Sequence, residues 1–192
     1  MKVVVNSGTI GTPAALLLAQ EGHDVTLTVR AMKANPRWDR AGVRQVPFDI
    51  HDTASMERAL QGADAFFSVT PLVETLVEAG QKAVDAAKRA GVRRIVRSSA
   101  QGAGPDAAIQ LGRWHGAVEA AVEESGIPFT VLRPANFMQN YITFNTVKGQ
   151  DAIYAPLGAA RVSPVDTRDV SAVAARALVE PGHEGKRYEL TG

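Results

Sequence analysis

The feature that most constrains the fold of this chain is a short glycine loop between an apolar strand and a helix. The valines at 3–5 lead into Asn6-Ser-Gly-Thr-Ile-Gly11, an apolar helical stretch continues as far as Gly22, and residues 23–30 form a second apolar run. This order predicts a βαβ unit with two parallel strands. Its helix would direct free N–H groups and the positive end of its dipole at a ligand above the first strand, and a pyrophosphate is the usual ligand there.

Strands and helices continue to alternate through the rest of the sequence. The pattern predicts strands over 43–48, 65–70, 94–98, 129–132, 161–165 and 186–190, and helices over 53–60, 74–89, 109–125 and 167–179. Residues 31–40 are predicted to be a loop with one helical turn, and residues 140–159 a long irregular excursion. Such alternation predicts an α/β fold, namely a doubly wound parallel sheet with helices on both faces, built as one domain over residues 1–192.

Acidic residues at two predicted helix starts have a structural explanation. Asp52 or Thr53 would cap the helix that follows them. Asp166 and Asp169 look like a carboxylate pair suited to acid–base chemistry, but both lie at a helix start, where acidic groups interact favourably with the helix dipole. Capping is therefore the favoured interpretation of this pair.

Composition excludes several classes of function. A net charge of +1 gives no basic surface for nucleic acid or a membrane, and the absence of cysteine excludes thiol nucleophiles and thiolate metal sites. The histidines His23, His51 and His183 are not spaced with carboxylates as metal ligands. Because the sequence begins directly with a strand and has no long apolar run, we expect a cytoplasmic protein without a membrane segment or metal. One basic cluster is expected to be the solvated end of a helix and the start of a strand: Lys88, Arg89, Arg93, Arg94 and Arg97.

The glycine loop itself is an incomplete nucleotide-binding motif. Dinucleotide-binding loops carry three glycines, whereas here only Gly8 and Gly11 are present and Asn6-Ser7 occupies the place of the first. Gly8 would let the backbone approach a phosphate closely, and Gly11 would let the helix pack tightly on the strand. The alternative is a plain strand-to-helix turn that binds nothing.

The end of the second strand bears on which dinucleotide would bind. Sites selective for NAD place an acidic residue there to hold the ribose 2′-hydroxyl, but this chain has Arg30, with Lys33 and Arg37 close behind. A guanidinium pairs well with the 2′-phosphate of NADP. We therefore expect NADP(H) to be preferred over NAD(H), the alternative being a solvated basic loop.

Several motifs together resemble a known family. Arg97-Ser-Ser-Ala100, Leu111-Gly-Arg-Trp-His-Gly116 with Glu119, and the run from Ser125 to Asn140 are similar to the NmrA-like branch of the atypical short-chain dehydrogenases. Residues 165–170 and 185–192 are similar as well, so the resemblance covers essentially the whole chain. This branch includes type-2 NAD(P)H:quinone oxidoreductases, azoreductase-like proteins and NADP-sensing proteins.

The resemblance implies a Rossmann-like fold with a cofactor channel along the carboxyl ends of the strands. The residues it assigns are Gly8, Thr9, Ile10 and Gly11 at the pyrophosphate, Arg30 and Lys33 at the 2′-phosphate, Asp49 and Ile50 at the adenine, Val69, Thr70 and Pro71 at the ribose, and Ser98, Ser99, Ala100, Pro134, Ala135, Asn136 and Phe137 around the nicotinamide. Family members usually continue beyond the position of Gly192 into a small substrate-binding part. Either the chain is trimmed or shortened, or its pocket is open or completed by a partner.

The chain departs from ordinary short-chain dehydrogenases in its central helix. Their Tyr-x-x-x-Lys pair is absent, and Leu111 and His115 occupy its positions. Alcohol oxidation and sugar epimerisation are thereby disfavoured, because they need a phenolate base. An imidazole with a pKa near neutrality at His115 would donate a proton to a reduced acceptor. The alternative is a helix-surface histidine that hydrogen-bonds the cofactor ribose or water.

Three hypotheses about function follow from the sequence. The first is an NAD(P)H-dependent oxidoreductase that transfers hydride to a quinone-like or other planar small-molecule acceptor. The second is an NADP(H)-responsive regulatory protein without turnover, and the third is a folded core that has lost its ligand. A homo-oligomer is compatible with all three.

Overall fold

A computed structural model describes residues 1–32, 34–143 and 161–192. The strands are β1 (Lys2–Asn6), β2 (Asp24–Val29), β3 (Arg44–Pro47), β4 (Ala65–Ser68), β5 (Arg94–Ser98), β6 (Phe129–Pro134) and β7 (Lys186–Leu190). The helices are α1 (Gly11–Gln20), α2 (Pro36–Arg40), α3 (Thr53–Leu60), α4 (Leu76–Arg89), α5 (Gln110–Glu124), α6 (Met138–Thr143) and α7 (Thr167–Val179).

All seven strands form one parallel sheet in the order β3-β2-β1-β4-β5-β6-β7. The order reverses between β1 and β4, where Val4 is paired with Thr26 on one side and with Phe66 on the other. This is the doubly wound, Rossmann-like arrangement that the sequence predicts. Ligands of such sheets bind in the crevice outside the carboxyl ends of the strands at that reversal.

Helices cover both faces of the sheet and create two apolar layers. Val3 and Val5 point into the layer formed with α1 and α7, whereas Val4 between them points into the layer formed with α3, α4 and α5. A strand covered on both faces reads as a continuous apolar run because successive side chains alternate between two buried layers. That explains the valine run with which the chain begins.

The predicted helix caps are confirmed. The carboxylate of Asp52 accepts a hydrogen bond from the Ala54 amide at 2.9 Å, and that of Asp166 accepts one from the Arg168 amide at 2.8 Å. The Asp166 carboxylate is also paired with the Arg168 guanidinium, which lowers its pKa far below the ordinary value. Asp166 is therefore a structural carboxylate. No helix within the described ranges is both long and apolar enough to cross a bilayer.

The predicted strand over 161–165 is wrong. Only Val165 pairs with a neighbouring segment, through an isolated bridge to Phe137 in which its amide donates to the Asn136 carbonyl at 2.9 Å. Pro164 has no N–H to donate, so a ladder cannot continue through it. Of the predicted excursion over 140–159, the first residues complete α6, and residues 144–160 lie outside the described residues.

Candidate functional site

The glycine loop after β1 has the conformation that its glycines require. Gly8 has a φ of +139°, a region that favours glycine, and a side chain added there would meet no atom within 4 Å. A Cβ on Gly11 would lie 1.8 Å from the Asn6 carbonyl oxygen. The expectation that Gly11 allows close helix–strand packing is therefore confirmed, and the space beside Gly8 is open.

Helix α1 begins without a side-chain cap. Its N-cap residue is Ile10, and no acidic residue lies in the first turn. The Thr12 amide donates to the Gly8 carbonyl at 3.1 Å, and the Gly8 amide donates to the Thr12 hydroxyl at 3.3 Å. The first amides of a helix have no intrahelical acceptor, so this end of α1 can receive an anion.

Asn6 is a residue at this site that the sequence analysis missed. Its amide nitrogen donates to the Thr28 hydroxyl at 2.8 Å, and its side-chain oxygen accepts from the Val69 amide at 3.2 Å. One side chain thus joins the carboxyl ends of β2 and β4 across β1. A polar residue closing an apolar strand is the sequence pattern that could have identified it.

The residues expected at the adenosine end lie on separate loops. Arg30 is exposed and forms no hydrogen bond or ion pair with any residue that the structure describes. Lys33 lies outside the described residues. The Asp49 carboxylate accepts from the His51 amide at 2.9 Å, which closes a turn, and Ile50 packs half-buried on the core.

A cleft of about 390 Å³ lies over the carboxyl ends of β5 and β6. Its wall includes His115 and Leu111. It also includes six of the seven residues expected around the nicotinamide: Ser99, Ala100, Pro134, Ala135, Asn136 and Phe137. Other apolar and polar lining residues include Leu72, Ile109, Asn140, Arg161 and Val162. The cleft is not lined by the other described residues expected to bind the cofactor, namely the glycine loop, Arg30, Asp49, Ile50, Val69, Thr70, Pro71 and Ser98.

Ser98 and the three residues assigned to the ribose lie outside the cleft wall. The Thr70 hydroxyl accepts a hydrogen bond from the Arg97 guanidinium at 2.9 Å, and Val69 is held by Asn6 as described above. Pro71 is exposed next to the cleft residue Leu72, and Ser98 is buried at the end of β5. The cleft is therefore lined by only part of the residues expected along the cofactor channel.

Main-chain hydrogen bonds fix the walls of the cleft. The Gln101 amide donates to the Pro134 carbonyl at 3.0 Å, and the Ala135 amide donates to the Leu190 carbonyl at 2.9 Å. The bridge between Phe137 and Val165 continues the same wall. These contacts join segments far apart in sequence, so the cleft is a preformed feature of the sheet edge.

Glycines on α5 bring the helix close to the loop after β5. A Cβ on Gly116 would lie 2.7 Å from the Gly104 Cα, and one on Gly112 would lie 2.7 Å from the Ala107 Cβ. This close approach places Leu111 and His115 of α5 on the cleft wall. The two positions that carry Tyr and Lys in ordinary short-chain dehydrogenases thus face the cleft here with an aliphatic and an imidazole side chain.

A buried ion pair fastens α5 to the sheet below the cleft. The carboxylate of Glu119 accepts two hydrogen bonds from the Arg133 guanidinium, at 3.0 and 2.7 Å, and a third from the Ser99 hydroxyl. Glu119 is buried and Arg133 is partly exposed. These hydrogen bonds raise the pKa of Arg133 above its ordinary value. Ser99 on the cleft wall is oriented by this network.

Arg97 is fully buried, so the expectation of a solvated basic cluster is wrong for this residue. Its guanidinium donates to the Ser68 carbonyl at 3.3 Å and to the Thr70 hydroxyl, and it lies 3.4 Å from Nδ1 of His115. Its Nε has no hydrogen-bond partner among the described residues. Burial lowers the pKa of Arg97 to about 10, which leaves it cationic at neutral pH.

His115 is neither a surface histidine nor one with a pKa near neutrality, so both sequence-based expectations of its environment are wrong. The side chain is 5% exposed. Burial, and secondly the charge of Arg97, lower its pKa to about 4. Its imidazole is therefore neutral at neutral pH and holds no extra proton to transfer.

The cleft carries little ionisable chemistry. Among the described residues that line it, the ionisable side chains are His115 and Arg161, and none is a carboxylate. The described ranges also contain no group of three His, Cys, Asp or Glu side chains placed to bind a metal ion. The arrangement suits binding of a flat apolar group beside fixed hydrogen-bonding groups.

Two curated proteins are similar in sequence to nearly the whole of this chain. The chain is 38% identical over 191 residues to an NAD(P)H azoreductase of Xenophilus azovorans, and the alignment covers 99% of this chain and 67% of that protein. It is 36% identical over 188 residues to a (4-alkanoyl-5-oxo-2,5-dihydrofuran-3-yl)methyl phosphate reductase of Streptomyces griseus, with 97% and 65% covered. The chain thus spans about two thirds of the length of these relatives.

A solved structure is similar in fold over the whole length of this chain. The crystal structure of the NADPH-dependent quinone oxidoreductase 2 of Escherichia coli, complexed with NADPH, has a TM-score of 0.84 to this chain at 26% identity, and the match covers 100% of this chain and 70% of that one. The model of the NmrA-like family matches residues 1–191. The chain belongs to the NmrA-like family.

Proposed function

We propose that this chain forms the nucleotide-binding part of an NADPH-dependent reductase whose acceptor is a planar small molecule, such as a quinone. The observation that carries the proposal is the cleft over β5 and β6, in which six of the expected nicotinamide-flanking residues come together beside an apolar wall. The names of the relatives, NAD(P)H azoreductase and NADPH-dependent quinone oxidoreductase, support it.

The glycine loop fits a dinucleotide despite its missing first glycine. The open space beside Gly8 would admit a phosphate, and the uncapped start of α1 would hold it through backbone N–H groups. Arg30 is exposed at the end of β2 without a partner among the described residues, so its guanidinium is available for a 2′-phosphate. Lys33 and Asp49 would complete the adenosine end, and Ile50 would contact the adenine.

In the cleft, the protein's contribution would be to hold two flat rings in contact. A bound nicotinamide, when reduced, supplies a hydride. Ala100, Pro134 and Phe137 would confine the ring faces, and Leu111 would exclude water from one side of the acceptor. Because no lining residue among those described holds a transferable proton at neutral pH, the proton that completes reduction would come from solvent.

The same lack of acid–base groups among the described cleft residues also suits a second function, that of an NADP(H)-responsive regulatory protein. The cleft holds no acid–base group that titrates near neutrality among the described residues, because His115 remains neutral there. A protein that binds a cofactor without consuming it needs no such group. Turnover separates the two functions, since only a reductase oxidises NADPH when an acceptor is added.

Calorimetric titration of NADPH and of NADH into the chain is the first experiment. The proposal expects saturable NADPH binding that is tighter than NADH binding. Oxidation of NADPH on addition of a simple quinone, followed by absorbance, would then support the reductase, and binding without oxidation would support the regulatory protein. The absence of binding by either nucleotide would reject both functions.

A further inference from the structure

The most unusual group near the cleft is the buried guanidinium of Arg97. It forms no ion pair with the residues that the structure describes, and its three contacts are to neutral acceptors, the Ser68 carbonyl, the Thr70 hydroxyl and the His115 ring. A buried cation without a carboxylate in contact is costly. Packing alone gives no reason for a cation here, because an apolar side chain of similar size would avoid that cost.

The contact with His115 restricts which ring nitrogen carries the proton. A guanidinium has only donors, so it can hydrogen-bond Nδ1 only if that nitrogen is unprotonated. A proton on Nδ1 would place two N–H groups 3.4 Å apart and facing each other. A neutral ring that accepts this hydrogen bond carries its proton on Nε2, which has no hydrogen-bond partner among the described residues.

We propose that Arg97 is a positioning residue that holds His115 as the neutral tautomer protonated on Nε2, so that the cleft presents a fixed hydrogen-bond donor to its ligand. His115 lines the cleft, and Arg97 lies behind it at the end of β5. The donor would face an acceptor oxygen or nitrogen of the bound molecule. That last step rests on the proposed function, whereas the state of the ring does not.

Other charged groups around the ring do not reverse this effect. Glu119, one turn further along α5, is the nearest carboxylate on the same element, and it is engaged by Arg133 of β6 and by Ser99. Arg161, from the segment before α7, adds another positive charge to the cleft lining. The burial of the ring and the charge of Arg97 therefore disfavour a second proton on His115, which agrees with its lowered pKa.

Nuclear magnetic resonance of the nitrogen-15-labelled chain without cofactor tests the proposal. Long-range nitrogen–proton correlations identify which ring nitrogen is protonated, and the His115→Gln spectrum assigns the signals. We expect Nε2–H in the wild type, with no second protonation until well below the ordinary histidine range. In Arg97→Met we expect exchange between both tautomers and an upward shift of the His115 pKa of about one unit.

Arg94→Met is the matched control. Arg94 lies on the same strand, but its guanidinium contacts the Glu180 carbonyl and the Glu184 carboxylate and does not contact His115. We expect its His115 signals to match those of the wild type. Arg97→Gln keeps a donor without the charge and serves if Arg97→Met does not fold, with the His115 pKa again expected to rise.

Two results would overturn the proposal. One is an Nδ1–H ring in the wild type, and the other is an unchanged His115 titration in a folded Arg97 variant. Because the spectra are recorded without cofactor, failure of NADPH to bind would reject the proposed function and leave this result intact.

Discussion

The two ends of the candidate site are built in different ways. At the adenosine end, after β1, β2 and β3, the expected contacts come from backbone and from exposed side chains on loops: Gly8, Gly11, Arg30 and Asp49. At the cleft end, after β5 and β6, the wall is supported by buried polar side chains: Arg97, His115, Glu119 and Ser99. The first end depends on the shape of a loop, the second on a hydrogen-bonded network.

The difference teaches where specificity and stability are coupled. A loop that binds through N–H groups can lose a side chain without affecting the core, and Arg30 forms no hydrogen bond or ion pair with the described residues. The polar side chains behind the cleft are buried, so removing a hydrogen-bond partner from one of them is costly. Changes at the cleft end should therefore alter folding, and truncation of an exposed loop side chain such as Arg30 should alter only binding.

The largest effect is expected from breaking the buried pair at the cleft end. Arg133→Met would leave the buried Glu119 carboxylate without its bidentate partner and should lower the free energy of unfolding by about 3–5 kcal/mol. Urea unfolding measures it. Arg89→Met is the control, because Arg89 and its partner Glu57 are both more than a third exposed and should contribute less than about 1 kcal/mol. Equal losses would contradict the contrast between buried and exposed pairs.

Gly11→Ala should be the exception at the adenosine end. Its Cβ would overlap the Asn6 carbonyl oxygen, so either the helix start or the strand end must move, and we expect a loss of about 3 kcal/mol in unfolding free energy. Gly8→Ala has open space and is strained only by its φ of +139°, so about 1 kcal/mol is expected. A smaller effect at Gly11 than at Gly8, by chemical denaturation, would show that the close packing is not limiting.

His115 should contribute to the acid sensitivity of the fold. Its folded pKa of about 4 lies below the ordinary 6.5, so the unfolded chain binds the proton first as the pH falls. The contribution of the neutral ring to the unfolding free energy is fully present above about pH 6.5 and is lost as the pH falls. The loss amounts to about 2–3 kcal/mol at pH 4. Unfolding curves of the wild type and His115→Gln between these pH values measure it. Parallel pH dependence of the two proteins would contradict it.

The smallest effect is expected at the exposed arginine. Arg30→Ala should weaken NADPH binding by about 1–2 kcal/mol, through the lost pairing with a 2′-phosphate, and should change neither NADH binding nor stability. Calorimetry with both nucleotides measures it, and Lys88→Ala, at an exposed residue of α4, is the control. Equal losses of binding for NADPH and NADH would reject the hypothesis that Arg30 pairs with the 2′-phosphate.

Much of the fold follows from local patterns in the sequence. The predicted bounds of β5, α7 and β7 are the observed ones, because apolar periodicity, capping residues and glycine stops act within a few residues of each other. The cleft members Ala100 and Pro134–Phe137 are expected around the nicotinamide only from the resemblance to the NmrA-like family. The structure brings them to one cleft because residues after parallel strands meet at the same edge of the sheet.

Other features depend on contacts between distant segments. The stretch 161–165 has the apolar pattern of a strand, but Pro164 and the position of the segment beside Phe137 limit it to one bridge. Asn6 joins two strands that lie on either side of it, and no local pattern specifies both partners.

The sequence by itself determined the alternating α/β order, the parallel sheet and the glycine loop, because hydrophobic period and turn residues encode these locally. Only the tertiary structure decided the state of Arg97 and His115. In the sequence Arg97 is part of a basic cluster and His115 is a helix histidine at the lysine position of the Tyr-x-x-x-Lys pair, yet folding buries both 3.4 Å apart. Burial makes the charged imidazole costly while the guanidinium remains charged, and that difference cannot be read before the two side chains are brought together.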